Sequence, residues 1–222
     1  MNEQLGELLR HPGVWLAAGA APAAAVLPTG FRQLDERLGG GWPRDTLVEL
    51  LLPSPGIGEF RLLLPALRAL CASGQGNPRR WIAWLDPPHL PYAPALAAAG
   101  LDPAQMLIVR PGEKRGQSPV GAVPVGRVPT AAVPWATEQA LRSRACAAAL
   151  AWMDVPDTRV LRRLKLAAEE GASLGVLFTS AACAGNPSPA ALRLLLEPRG
   201  GSLDVIILKS RSGTPGRIEG LL

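Results

Sequence analysis

The sequence predicts an α/β fold: a mainly parallel, twisted sheet flanked by helices and finished by a C-terminal antiparallel β-hairpin. Three observations carry that prediction. From Thr46 onward, short apolar runs alternate with longer segments of helical periodicity, the order of a parallel sheet wound from β-α-β units. The alternation breaks late in the chain, where two apolar runs flank the turn "PRGG" at residues 198–201 and read as a hairpin. Of the 222 residues, 48% are hydrophobic, mostly Ala, Leu and Val, enough for a sizeable core without disulfides or metals.

Taken in order, residues 2–10 read as a short amphipathic helix with Leu5, Leu8 and Leu9 on one face, a candidate protein-docking element. An Ala/Pro/Gly linker at 11–28 joins it to the α/β domain at 29–222. Within "PTGFRQLDERLGGGWPRDTLVEL", residues 28–50, Phe31, Leu34 and Leu38 keep helical spacing, three glycines stop the helix, and a buried strand runs from Thr46 to Leu52. A helix from about Phe60 carries Leu62, Leu63, Leu64, Leu67 and Leu70. Strands follow at Trp81–Leu85 and Met106–Val109, with a helix at Tyr92–Ala99 between them. Residues 111–134 are rich in Pro and Gly without a period and read as a long flexible insertion. Then come a helix at Trp135–Ser143, opened by Glu138 and Gln139 as dipole-complementing residues, and a strand at Ala147–Trp152. A helix at Thr158–Glu170 capped by Asp157, a strand at Leu174–Thr179, and the hairpin strands Leu192–Glu197 and Leu203–Ser210 complete the chain.

The segment "LPSPGIGEF", residues 52–60, lies between a buried strand and a helix, where a phosphate-binding loop belongs. Such a loop cradles phosphate with glycine-rich backbone N–H groups, then supplies Lys to the phosphates and Ser or Thr to magnesium. Here Gly56 and Gly58 are kept, but Glu59 and Phe60 stand in the Lys and Ser/Thr places. A carboxylate facing a phosphate at ~4 Å, with an effective dielectric near 20, costs roughly 4 kcal/mol per charge pair. Two readings stand: a degenerate phosphate loop, or a plain Gly/Pro turn.

Other chemistry is sparse. Cys71, Cys146 and Cys183 are odd in number and widely spaced, which excludes a disulfide framework and fits small core residues. His11 and His89 are too isolated to complete a zinc site, and no cofactor is expected. No apolar run reaches the ~18 residues of a membrane span, so the expectation is a soluble, intracellular chain. The net charge of +5 permits contact with nucleic acid or an acidic partner. Arg159, Arg162, Arg163 and Lys165 share one helix, while Lys209, Arg211 and Arg217 lie at the hairpin end and in the tail "KSRSGTPGR". These are candidate partner or DNA contacts, the tail through charge combined with Gly/Pro mobility, although a solvated face explains the helical set equally. Trp135 and Trp152 are expected in the core rather than as base-stacking platforms.

The "TG…LD…LGGG…VE" run at residues 29–49 resembles the segment that leads into the phosphate loop of RecA-like recombinases, and "WLDPPHL" and "TEQALRS" extend the likeness. Across residues 1–222 the chain is similar to the ImuA family, SOS-mutagenesis accessory proteins also grouped with SulA-like cell-division inhibitors. "WATEQALRS", "RRLKLAAEEGASLGVLF", "SPAALRLLLEP" and "ILKSRSG" are the segments most specific to it. The resemblance implies a RecA-like core. It also exposes three departures from the recombinase pattern. Besides Glu59 and Phe60, Pro88 stands before His89 where the family has a catalytic Glu, and Trp152 stands where an acidic residue ends the fourth strand, with Asp154 two positions late. Losing the lysine, the base and the metal-orienting carboxylate together predicts no hydrolysis.

The family implies a non-catalytic adaptor of SOS-inducible translesion DNA synthesis in the bacterial cytoplasm. Its partners are an ImuB-like inactive polymerase-family protein, an error-prone replicative-type DNA polymerase and RecA, the last contacted through surfaces inherited from the filament, with self-association left open. Two alternatives stay open: a SulA-like inhibitor of the division GTPase, and a DNA-dependent ATPase that uses Arg61 and Asp154 in unorthodox roles.

Overall fold

A computed structural model describes residues 26–71, 80–110 and 132–222. The predicted helix at 2–10 with Leu5, Leu8 and Leu9, the linker up to residue 25, and residues 111–131 of the insertion lie outside the described residues.

Ten strands and five α-helices are described. In chain order they are β1 (Val26–Leu27), α1 (Arg32–Leu38), β2 (Trp42–Pro43), β3 (Leu47–Leu52), α2 (Glu59–Cys71), β4 (Trp81–Leu85), α3 (Ala93–Ala98) and β5 (Met106–Val109). They continue as α4 (Ala132–Arg142), β6 (Cys146–Trp152), α5 (Thr158–Gly171), β7 (Leu174–Ser180), β8 (Leu192–Arg199), β9 (Ser202–Ser210) and β10 (Gly216–Ile218). Eight strands form one sheet in the order β10-β9-β8-β3-β7-β6-β4-β5, and β1 pairs with β2 alone. Every pairing from β8 across to β5 is parallel, whereas β8, β9 and β10 are antiparallel. The expected mixed α/β architecture with its C-terminal hairpin is therefore present.

All six residues of β3 are buried, as a central parallel strand covered on both faces must be. Val48, Leu50 and Leu52 pack with Leu62, Leu63, Ala66 and Leu67 of α2 on one face. On the other, Leu47 packs with Leu141 of α4 and Leu161 and Leu164 of α5. Period-two alternation thus assigns each strand residue to a helix layer.

Several local expectations are corrected. Val26 and Leu27, read as the end of the linker, are strand β1, and Gly41 lies so close to the Leu27 carbonyl that a Cβ there collides with backbone. The helix after the insertion starts at Ala132 rather than Trp135; Pro134 fits its first turn, where the missing N–H costs nothing. Glu138 does not open a helix: it is buried in the middle of α4, bonded to Arg142 one turn on and to Arg163 of α5, and so ties the two helices together. Trp135 is 61% exposed, not core. The tail read as mobile forms β10, and Ile218, Leu221 and Leu222 pack on the α2-side core.

An ion network holds that tail. Arg217 donates to Asp204 at 2.7 Å and to Glu197 at 2.8 Å, and the Gly220 N–H donates to the other Asp204 oxygen. The Arg217 hydrogen bond, then that of Gly220, hold the Asp204 carboxyl below its ordinary value of 3.8. A carboxyl depressed in the folded state stabilises it above the ordinary value and loses that contribution as pH falls through the folded one. Thermal melts from neutral to strongly acid pH are therefore expected to show an acid loss below about 3.8 that is shallower in Asp204→Asn, which starts from a lower melting temperature.

Candidate functional site

In open α/β sheets ligands bind beyond the carboxyl ends of the strands. In this chain that crevice, on the α2 side, is occupied by the protein's own side chains. The turn after β3 uses glycine where the backbone demands it: Gly56 and Gly58 have φ of +90° and +100°, a region that penalises any residue with a Cβ. Glu59, the first residue of α2, turns its carboxylate back into the turn, and Oε1 accepts the Gly56 N–H at 2.9 Å. The carboxylate therefore takes an N–H of the kind that a phosphate loop turns to its ligand, and it is only 7% exposed. The Leu222 side chain closes over the same turn, 3.9 Å from where a Cβ on Gly58 would lie.

Beside the turn stands an aromatic column. Phe60 in the first turn of α2 meets Trp84 of β4 at a centroid distance of 4.9 Å. Trp84 stacks on Trp152, the last residue of β6, at 5.7 Å, and Trp152 on Phe178 of β7 at 4.4 Å and 14°. Parallel register puts Trp152 beside Phe178, so the two rings project from neighbouring strands onto one face. Phe60 and Trp152 are two of the residues that the sequence reading set against a recombinase pattern. Aromatic packing of this kind contributes roughly 0.5–1.5 kcal/mol per pair beyond area burial.

The remaining residues of the expected ATPase machinery lie on three different segments. Pro88 and His89 are exposed on the loop after β4, and Arg61 is exposed on α2. Asp154 follows β6, where its carbonyl accepts the Ser180 N–H. Burial raises the thiol pKa of Cys71 and of Cys146, which keeps both protonated.

The basic candidates are dispersed in role. Arg163 is bonded to Glu138, Lys165 lies 3.6 Å from Glu169, and Arg217 is held by Asp204 and Glu197. Arg159, Arg162 and Arg211 are exposed, without an ion pair among the described residues. Lys209 donates to the Ser188 carbonyl at 2.8 Å.

A second feature was not anticipated from sequence. On the opposite sheet face Glu49 of β3 is buried, accepting from Arg193 Nε of β8 at 2.6 Å and from Ser188 Oγ at 3.0 Å. Arg193 spends its other donors on the carbonyls of Cys183, Ala184 and Asn186. One guanidinium thereby ties three carbonyls of the connection between β7 and β8, which includes a short 3-10 turn at Ala181–Cys183, to β3. The pair opens onto a cavity of about 230 Å³.

No family model matches the chain, and no curated protein matches its sequence. Among solved structures it is similar to SulA from Pseudomonas aeruginosa, at 21% identity over 60% of this chain and 97% of that one, with a TM-score of 0.43.

Proposed function

We propose that the chain is a non-catalytic, RecA-like adaptor of the ImuA type, working in SOS-inducible translesion DNA synthesis. The single observation that supports this most is the filled crevice: Glu59 on Gly56, and the Phe60–Trp84–Trp152–Phe178 column at the strand ends. A site built for hydrolysis keeps a preorganised, open pocket with groups aimed at magnesium and water. Here the same positions contribute packing. The fold then serves as a scaffold for partners, since architecture alone dictates no activity.

On this reading the partners are an ImuB-like inactive polymerase-family protein, an error-prone replicative-type polymerase and RecA, with DNA reached through the exposed arginines Arg159, Arg162 and Arg211. Pull-down of the purified chain against each partner tests it. Retention of the ImuB-like protein or RecA is the expected result. Retention of the division GTPase alone would replace this reading with division inhibition.

A further inference from the structure

The two edges of the eight-stranded sheet are built differently. At one end β10 is three residues long, follows Pro215 and carries Arg217, and charge and proline are the usual guards of an exposed edge. At the other end β5 is uncharged, keeps an unbroken parallel register with β4, and pairs with no other strand among the described residues. Leu107 is 44% exposed and Ile108 41%, one on each face of the sheet. An unguarded apolar edge of this kind is a template for a further strand.

Backbone directions fix how that strand pairs. The Val109 carbonyl accepts the Asp86 N–H at 2.9 Å, so Leu107 and Val109 turn their backbone groups toward β4, while Met106 and Ile108 turn theirs outward. Met106 spends its N–H on the Pro103 carbonyl. Ile108 is therefore the residue of β5 that offers both groups at the edge. A two-fold axis through Ile108 satisfies both with the same two groups of a second copy, N–H to C=O in each direction. The same register sets Leu107 of each copy against Val109 of the other on one face, and Ile108 against Ile108 on the opposite face. Arg110, which follows the strand, is carried to the end of the other β5 where Asp102 precedes it, so the flanking charges are opposite in sign.

We propose that β5 joins a second copy of this chain in an antiparallel, two-fold pairing centred on Ile108, which continues the sheet across both copies. A two-fold contact is self-complementary, so one strand supplies both sides and no third copy can add at this edge. Strands of four residues bury less than the roughly 1,200 Å² of a standard interface, which makes the dimer reversible and dependent on concentration. It stands whether or not the adaptor reading does.

Sedimentation of the full chain over a concentration series tests it. The wild type is expected to shift from one mass to twice that mass as concentration rises, with nothing larger. Ile108→Pro removes an outward N–H but none of the bonds to β4, and proline is tolerated on an edge strand; it should weaken the dimer about tenfold or more, two hydrogen bonds being lost. Ile108→Cys should crosslink between copies on mild oxidation, because a hydrogen-bonded antiparallel pair sets its Cα atoms about 5.5 Å apart, within disulfide reach. Leu166→Cys, on α5 and 61% exposed, should not. Melting curves establish that each variant folds, and should Ile108→Pro fail to fold, the two cysteine variants decide. A chain that is monomeric at every concentration, its β5 edge left to residues 111–131 or to a different protein, would overturn the proposal. So would species that grow beyond a dimer, a dimer indifferent to Ile108→Pro, or equal crosslinking of the two cysteine variants.

Discussion

Trp84→Ala is expected to destabilise the protein by about 3–5 kcal/mol, the range for deleting a large buried aromatic. Trp84 is 5% exposed and is the middle member of the column, touching Phe60 on one side and Trp152 on the other. Its loss removes two ring contacts and leaves a hole at the centre of the α2-side core, where Leu62 and Leu63 are held by the helix and cannot follow. Urea unfolding of wild type and variant measures the difference. The variant is not expected to gain ATP binding, because Glu59 still occupies the turn. A loss below about 1 kcal/mol would mean that the column is a surface ornament rather than the filling of a site.

Arg193→Ala is the second large effect. Removing one partner of a buried ion pair leaves the other uncompensated, at about 3–5 kcal/mol. Here Glu49, 2% exposed, would be stranded in the sheet, and the carbonyls of Cys183, Ala184 and Asn186 would lose their common donor. The double variant Glu49→Leu with Arg193→Met is expected to recover much of the loss, since an apolar pair of similar size avoids the stranded charge. Denaturation midpoints of the single and double variants read both effects. Equal losses in the two variants would show that the carbonyl contacts, not the charge pair, hold the connection.

The parts of this fold legible in the sequence are those with enough residues to show a period. Strands β3 to β9 carry between four and nine residues each, and alternation or continuous apolarity marks them. Strands β1, β2 and β10 have two or three residues, fewer than one full alternation, and only the sheet reveals them. Glu138 misled for a related reason: its bond to Arg142 follows from i,i+4 spacing, but its partner Arg163 comes from another helix and has no local signature.

At the crevice, the sequence shows which residues stand after each strand but not what they touch. Glu59 read as a repulsive charge; in the fold it is bonded to its own turn. Trp84, Trp152 and Phe178 each sit at or near the carboxyl end of a parallel strand, a pattern that sequence could have offered as a filled ligand site once the strands were placed. Glu49 and Arg193 are 144 residues apart, and their pairing depends on the parallel register of β3 and β8, which nothing local encodes.

The proposed function has packing stand where nucleotide chemistry would. The most direct measurement is phosphate release from ATP and magnesium by the purified chain, with and without single-stranded DNA, alongside an ATP-binding titration. No release and no binding is the predicted result. DNA-stimulated release that disappears in Arg61→Ala would contradict it, and would mean that the crevice opens and that Glu59 and the aromatic column yield to a nucleotide.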